Sequence, residues 1–234
     1  MADEPSTTRP PAFFEDLQRL PPGRHSVPTA EVARQQRERL MAGMLDAVGE
    51  QGYVATSVAD VLARAGVSRR TFYEHFSDKE DCFLQAYDHV VAIAADAVRD
   101  VIAAQPDWRR AVRAGLALLL DTVAAHPRFA RACIVEVLAV GPEGMRHRDA
   151  ATQPFQRFFE SGRDQAGAEW QLPATVAEIL VGGILETITT RVMRNEADQV
   201  PALLDDLVYW ALVPFIGPAA AAEAIGRSAG VSVS

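Results

Sequence analysis

Residues 56 to 81 read Thr56-Ser57-Val58-Ala59-Asp60-Val61-Leu62-Ala63-Arg64-Ala65-Gly66-Val67-Ser68-Arg69-Arg70-Thr71-Phe72-Tyr73-Glu74-His75-Phe76-Ser77-Asp78-Lys79-Glu80-Asp81. The Ser57 hydroxyl is placed to cap a helix while Asp60, three residues on, reaches back to the cap, the capping-box arrangement. Val58, Val61, Leu62 and Ala65 then form a buried stripe, and Gly66 stands where a left-handed residue closes a helix without Cβ strain. Ser68 starts the next helix, with Val67 before the cap and Phe72 inside it spaced as a hydrophobic staple. Phe72 and Phe76 face inward. Arg69, Arg70, Thr71, Tyr73, Glu74 and His75 are left on or near the outward side of a helix barely two turns long. Ser77 and Glu80 predict a second capping box that opens the following helix. A helix this short gains little from intrinsic propensity, so its neighbours must hold it and display it.

Two short helices joined by the tight Ala65-Gly66-Val67-Ser68 turn, the second presenting Arg, Thr, Tyr and His, form the helix-turn-helix arrangement that enters a DNA major groove. Two ordinary surface helices are the alternative on spacing alone. Lys79 favours DNA: it lies in the first turn of the next helix, where the helix dipole disfavours a cation and an apposed phosphate would offset that cost. Its plainer reading is a solvated side chain paired with a neighbouring acid.

The quoted run resembles the N-terminal domain of the TetR family of transcriptional regulators over about residues 30 to 85. Helix lengths, turn, the Tyr-x-His-Phe of residues 73 to 76 and the following Lys79 fall in register; the remaining chain resembles the family only in helical pattern and length. The resemblance implies that Tyr73 and His75 touch phosphates or base edges, that Lys79 meets a phosphate, and that Ser57 and Thr71 contact the DNA backbone at helix N-termini. Thr56, Ser68, Arg69 and Arg70 complete the candidate set around the turn. Arg70 departs from the small residue common there, and Phe72 from the more usual Leu. Either Arg69 or Arg70 suits a bidentate pair with guanine, a contact worth roughly 1 to 3 kcal/mol of discrimination. Arg24, on a flexible extension ahead of the first helix, suits the minor groove; a plain disordered tail is the alternative.

The chain has 234 residues and a net charge of -8, which argues against nucleic acid if taken as an average. The charge is unevenly spread. Residues 24 to 80 hold eight basic and eight acidic side chains, leaving 15 basic against 23 acidic for the remainder, so the whole -8 lies outside the helix-turn-helix region. An acidic body behind a locally basic edge orients a protein on DNA. Six of the fourteen prolines fall within the first 28 residues, so residues 1 to 23 read as a Pro-rich tail. Residues 24 to 77 are then the DNA-binding domain, 78 to 226 a helical effector-binding and dimerisation domain, and 227 to 234 a C-terminal tail. No basic region followed by an apolar stretch opens the chain, and the uncharged run from Tyr209 to Ala222 is shorter than a membrane span and interrupted by Pro214 and Pro218. No membrane partner and a cytoplasmic location are expected.

From residue 31 onward the apolar period is about 3.6 throughout, which predicts an all-α fold. A first helix is expected from about 29 to 50, stopped by Gly52. After the helix-turn-helix, helices are expected at about 78 to 104, 108 to 125, 127 to 140, 142 to 165, 174 to 195 and 200 to 226. The helix from 174 to 195 is apolar around most of its circumference, as expected of one buried on more than one side. Val181, Gly182 and Leu185, with Leu204, Val208 and Ala211 on the last helix, are the expected homodimer interface; the family resemblance implies the same pair of helices. An isologous dimer suits a pseudo-palindromic operator.

A bundle that also binds a small molecule needs aromatics and a few polar groups that packing alone does not require. Leu116, Phe129, Cys133, Phe155, Phe159 and Ile184 are the candidate effector-binding residues, with Glu136, Phe158, Glu178 and Glu186 considered beside them; ordinary core packing is the alternative for the aromatics. Cys82 and Cys133 read as buried free thiols. His25, His75, His89, His126 and His147 match no metal spacing, and no P-loop, nucleophile elbow or dinucleotide turn occurs, so neither enzyme activity nor a cofactor or metal is expected. The expected function is a ligand-responsive homodimeric DNA-binding regulator, with repression as the expected sign. The effector would act by shifting the fourth helix. A helical small-molecule-binding or enzyme-like protein without DNA binding, and a regulator controlled by a protein partner, are the alternatives.

Overall fold

The computed structural model describes residues 29–165 and 172–226. Arg24, the N-terminal tail and the C-terminal tail lie outside the described residues. Within them every regular element is helical and no strand is formed. The first helix, α1, spans Thr29–Gln51 and buries Leu40, Met44, Leu45 and Val48. It is followed by α2 (Val58–Ala65), α3 (Arg69–His75) and the long α4 (Lys79–Ala103). Phe72 and Phe76 of the helix-turn-helix pack into one cluster with the buried face of α1 and with Cys82, Phe83 and Tyr87 of α4.

The start of α4 differs by one residue from the expected Ser77–Glu80 box. Asp78 is the N-cap, and its carboxylate accepts the Asp81 N–H at 2.8 Å. Asp81 in turn accepts the Ser77 N–H at 2.9 Å, so the reciprocal pairing runs through two aspartates. Asp78 is in the extended conformation of an N-cap and presents its own carboxylate to the orphan amides, which takes that role from Ser77.

Four long helices complete the described bundle, α5 (Trp108–Ala125), α7 (Pro142–Ser161), α8 (Val176–Met193) and α9 (Leu204–Ala224), with α6 (Pro127–Ala130) as a single turn between α5 and α7. The expected helix over 127 to 140 is not continuous. After α6 the chain takes a π turn over Arg131–Val135 and a 3-10 turn over Glu136–Val140. The cause lies in its packing. Phe129, Ala132 and Val137 join the cluster around α1, whereas Ala130, Ile134 and Val135 pack on the second cluster formed by α5, α8 and α9. Ala132 and Val137 are five residues apart, one more than an α-helical face provides, and a π turn supplies that extra residue.

Gly49 of α1 sits so close to this segment that a Cβ there would lie 2.2 Å from the carbonyl oxygen of Arg128. The helix-turn-helix unit is therefore seated backbone against backbone on the segment that follows α5. The stretch Ala197–Ala224 is long and apolar enough to cross a membrane by length and composition alone. It bends at Gly217, where φ is 77°, and its Leu207, Val208, Ala211, Leu212 and Phe215 are buried in the bundle core.

Candidate DNA interface and ligand cavity

The recognition turn is built by local hydrogen bonds. Ser57 accepts the Asp60 N–H at 3.3 Å while Asp60 Oδ2 accepts the Ser57 N–H at 2.8 Å, closing the capping box on α2. Asp60 is held ionised below the usual carboxylate range, first by the Ser57 hydroxyl and then by the Ser57 amide. Gly66 closes α2 at φ 63° and ψ 38°, its N–H donating to the Leu62 carbonyl at 2.9 Å. Ser68 then accepts the Thr71 N–H at 3.1 Å and shares a 2.9 Å bond with the Thr71 hydroxyl. These bonds fix the angle between α2 and α3, and with Phe72 fully buried the opposite face of α3 must point away from the body.

That outward face carries Arg69, Arg70 and Tyr73, all exposed; Tyr73 is 52% exposed with its ring edge-on to Phe72. Arg70 pairs along the helix with Glu74 at 2.9 Å. Ser57 and Ser68 are exposed at the two helix starts, while Thr71 and His75 are half-buried beside them. Thr56 departs from the expected set: it is 3% exposed, and its hydroxyl donates to the Gly52 carbonyl at 2.8 Å. A side chain so buried offers DNA nothing, so Thr56 shapes the loop between α1 and α2 instead.

Lys79 is half-buried and its Nζ donates to the carbonyls of Tyr53 and Thr56, both at 3.0 Å, while standing 4.2 Å from the centre of the Tyr53 ring. The carbonyls and the aromatic face offset the cost of a cation in the first turn of α4. Two of its three ammonium protons are thus used within the protein.

The loop that Lys79 grips from one side is gripped from the other by Glu136. Its Oε2 accepts the Tyr53 N–H at 2.9 Å, and its Oε1 accepts from Arg131 Nε at 3.3 Å. An ionic cluster runs alongside: Arg64 of α2 reaches Asp46 at 3.1 Å and also pairs with Glu50, and Arg128 of α6 reaches Asp46 at 2.9 Å. Glu136, a candidate ligand group from the sequence, instead faces the loop that leads into the helix-turn-helix unit. No local pattern reveals this, because the partner lies 83 residues away.

Behind the π turn lies a cavity of about 190 Å³ between α4, α5, α7 and α8. Leu116, Phe129, Cys133, Phe155, Phe159 and Ile184 all line it. Glu178 and Glu186 are exposed on the outer face of α8. Burial pushes the Cys133 thiol up to about 12, and raises the thiol of buried Cys82 as well. Phe158 stacks instead against Trp108, with ring centres 6.2 Å apart.

The expected dimer residues divide. Val181, Val208 and Ala211 are buried in the protomer's own core and Leu185 lines the cavity, because the apolar stripe of α8 that includes Val181, Ile184 and Ile188 turns inward. Leu204 is half-buried against the same core. Gly182 remains outward beside Gly183, and a Cβ at either would meet nothing within 4 Å. The outward face of α8 and α9 also shows Ile179, Met193 and Trp210, which are 66%, 63% and 65% exposed. These large apolar side chains were not part of the expected interface.

The capped turn, the exposed face of α3 and the helical body behind them define a helix-turn-helix DNA-binding regulator of transcription. Residues 43–86 match the family model described as bacterial regulatory proteins, tetR family. The chain is 29% identical over 202 residues to the HTH-type transcriptional regulator EthR of Mycobacterium tuberculosis, covering 81% of this chain and 90% of that one. EthR of Mycolicibacterium smegmatis is 27% identical over 159 residues, covering 66% and 68%. Among solved structures, the fatty acid degradation regulator FadR from Bacillus halodurans has the same fold, with a TM-score of 0.69 at 16% identity over 81% of this chain and 97% of that one. FadR from Bacillus subtilis, solved in complex with stearoyl-CoA, gives 0.67 at 16% identity over 76% and 98%. The chain is thus similar to TetR-family regulators in its helix-turn-helix region and in its fold.

Proposed function

We propose that this regulator binds a pseudo-palindromic operator as a homodimer in the cytoplasm, represses transcription there, and is released when a small, largely apolar effector enters the cavity behind the π turn. In this reading residues 24 to 77 read DNA and residues 78 to 226 bind effector and partner. The observation that carries it is the two-sided character of residues 127 to 140. Phe129, Ala130, Cys133 and Ile134 line the cavity, while Arg128 and Glu136 of the same short segment hold α1 and the loop that leads into α2. A ligand that displaces this segment moves the helix-turn-helix unit with it. The displacement adds a route to the one through α4, whose Tyr87 to Val98 stretch also lines the cavity. Either way, the effector changes operator affinity only by its differential affinity for the two arrangements.

On the opposite side of the bundle, Ile179, Gly182, Gly183, Met193 and Trp210 supply the apolar face that a second copy covers. Large exposed apolar side chains interspersed with Glu178 and Glu186 suit an association surface, and the two glycines admit a partner helix at close range. Such a dimer sets two copies of α3 at the spacing of operator half-sites. The acyl thioester bound to FadR supports an elongated, mainly apolar effector.

The test is a fluorescence-anisotropy titration of the purified protein against DNA from upstream of its own gene and against operators selected from random sequence, at several salt concentrations. Selective, salt-sensitive binding is expected, with a slope that scales with the phosphates neutralised. If neither DNA source yields sequence preference, the regulator reading is wrong.

A further inference from the structure

The cavity is a slot with unlike ends. On α4 its lining runs through Tyr87, Val91, Ala94 and Val98, and on α7 from Arg148 to Phe159. Each set spans eleven residue steps, roughly 16 Å along a helix axis at 1.5 Å per residue. The two helices run side by side from the same end. His147, next to Arg148, bonds Asp88, next to Tyr87, at 2.7 Å, and the rings of Tyr87 and His147 meet edge to face. At the other end Val98 lies against α5 near Gly115, beside the cavity residue Leu116. A volume of about 190 Å³ spread along that length makes a slender space.

Arg148 is the charged side chain among the residues that line this space. It is half-buried, and among the described residues it makes no hydrogen bond or ion pair. The neighbouring Asp88 carboxylate is taken by His147. Other half-buried arginines, such as Arg64, Arg113, Arg131 and Arg191, are drawn into ion pairs, whereas exposed ones such as Arg69 and Arg109 have none among the described residues. An arginine at the wall of an apolar slot, its charge felt by the lining Tyr87 and its guanidinium without a protein partner, is a recognition group for an anion, since its planar fork matches a carboxylate.

The geometry points to an amphiphilic carboxylate as the ligand of this cavity: a slender apolar chain lying between α4 and α7, its tail toward Val98, Leu116 and Phe159 and its head group bonded to Arg148. This inference rests on the cavity being the effector site and adds the chemical class of what fills it. The head-group end is also the end next to Cys133 and the π turn, so the charged interaction forms beside the segment that holds the helix-turn-helix unit.

Isothermal titration of the full-length protein, without DNA, tests it with hexanoate, octanoate, decanoate and dodecanoate and with the straight-chain alcohols of the same lengths. Each added methylene is expected to tighten binding about fourfold until the slot is filled. At equal length the carboxylate is expected to bind about tenfold or more tighter than the alcohol. Arg148→Gln should remove that preference and leave alcohol binding unchanged, while Arg148→Lys retains part of it; thermal melting of each unliganded variant confirms its fold. Equal affinity for acid and alcohol, a preference that survives Arg148→Gln, or no binding of any carboxylate in the series would overturn the assignment. The same carboxylates added to the operator complex examine the effector reading separately. Arg148-dependent binding without any change in operator affinity would leave the ligand class standing and remove its regulatory role.

Discussion

Glu136 accepts the backbone N–H of Tyr53 at 2.9 Å across 83 residues of sequence, and it is the polar link between the irregular turn beside the cavity and the loop that leads into the helix-turn-helix. Tyr53 is buried, so its amide has no ready substitute for that carboxylate. Glu136→Ala is expected to lower stability by about 1 to 3 kcal/mol, the cost of leaving a buried donor unpaired. Glu136→Gln keeps an acceptor and should lose much less. Urea denaturation measures both. In the operator assay the Ala variant should respond less to effector than the wild type while retaining operator selectivity, because α3 itself is untouched. An unchanged stability would show that the bond carries no weight.

Lys79 grips the same loop through the carbonyls of Tyr53 and Thr56. Lys79→Ala is therefore expected to act twice. In the absence of DNA it should destabilise the fold, through two lost charge-assisted hydrogen bonds and the contact with the Tyr53 ring. With DNA, loss of the third ammonium donor should weaken binding to all sequences and reduce the salt slope by about one unit per half-site. A stability loss with an unaltered slope would make Lys79 a purely structural residue.

Much of this architecture was legible because it is local. The Ser57–Asp60 box, the Gly66 closure, the Ser68 cap and the inward Phe72 all follow from spacings of four residues or fewer, and the structure forms each of them. The six residues proposed for the cavity were legible from apolar stripes on separate helices, and the fold brings them to one space. What sequence did not reveal is long-range. Thr56 stands among the candidate DNA contacts, yet the loop folds its hydroxyl inward onto Gly52. The alternation of residues 127 to 140 between two cores reads as an ordinary helix until both cores are known. In α8 an almost wholly apolar circumference hides which stripe faces the bundle, so the sequence points to Val181 for the interface although Ile179 is the exposed residue.

Gly66 tests the turn itself. Its φ of 63° lies in the left-handed region, which a β-branched residue resists. A Cβ there would also lie 2.7 Å from an Arg39 nitrogen. Gly66→Val is expected to cost at least about 1 to 2 kcal/mol and to abolish operator binding, with Gly66→Asn milder because Asn tolerates this conformation. Denaturant midpoints and anisotropy titrations of the two variants measure the difference; equal stability of the Val variant would contradict the drawn turn.

Cys133 gives a pH-dependent readout of the cavity. Burial raises its thiol from 9.0 to about 12, so at pH 8 only on the order of one molecule in ten thousand carries the reactive thiolate. Native protein should react very slowly with a thiol reagent, and unfolded protein at once. Because the folded value is the higher one, the neutral thiol's contribution to stability is fully present below the ordinary thiol range. It is lost as pH rises from about 9 toward 12. Rapid labelling of Cys133 in the native state at pH 8, located by peptide mass mapping, would show the cavity wall to be open.

Trp210 and Ile179 test the proposed dimer. Both are exposed on the protomer, and neither contributes to its core, so a charge at either should leave the monomer folded. In a covered interface the same charge is buried without a partner, which costs several kcal/mol and is counted once per subunit. Trp210→Glu and Ile179→Glu are each expected to convert the dimer to a monomer in sedimentation velocity while circular dichroism remains helical. Operator affinity should then collapse toward that of a single half-site. A dimer that persists in both variants, at concentrations where the wild type is dimeric, would place the interface on another face.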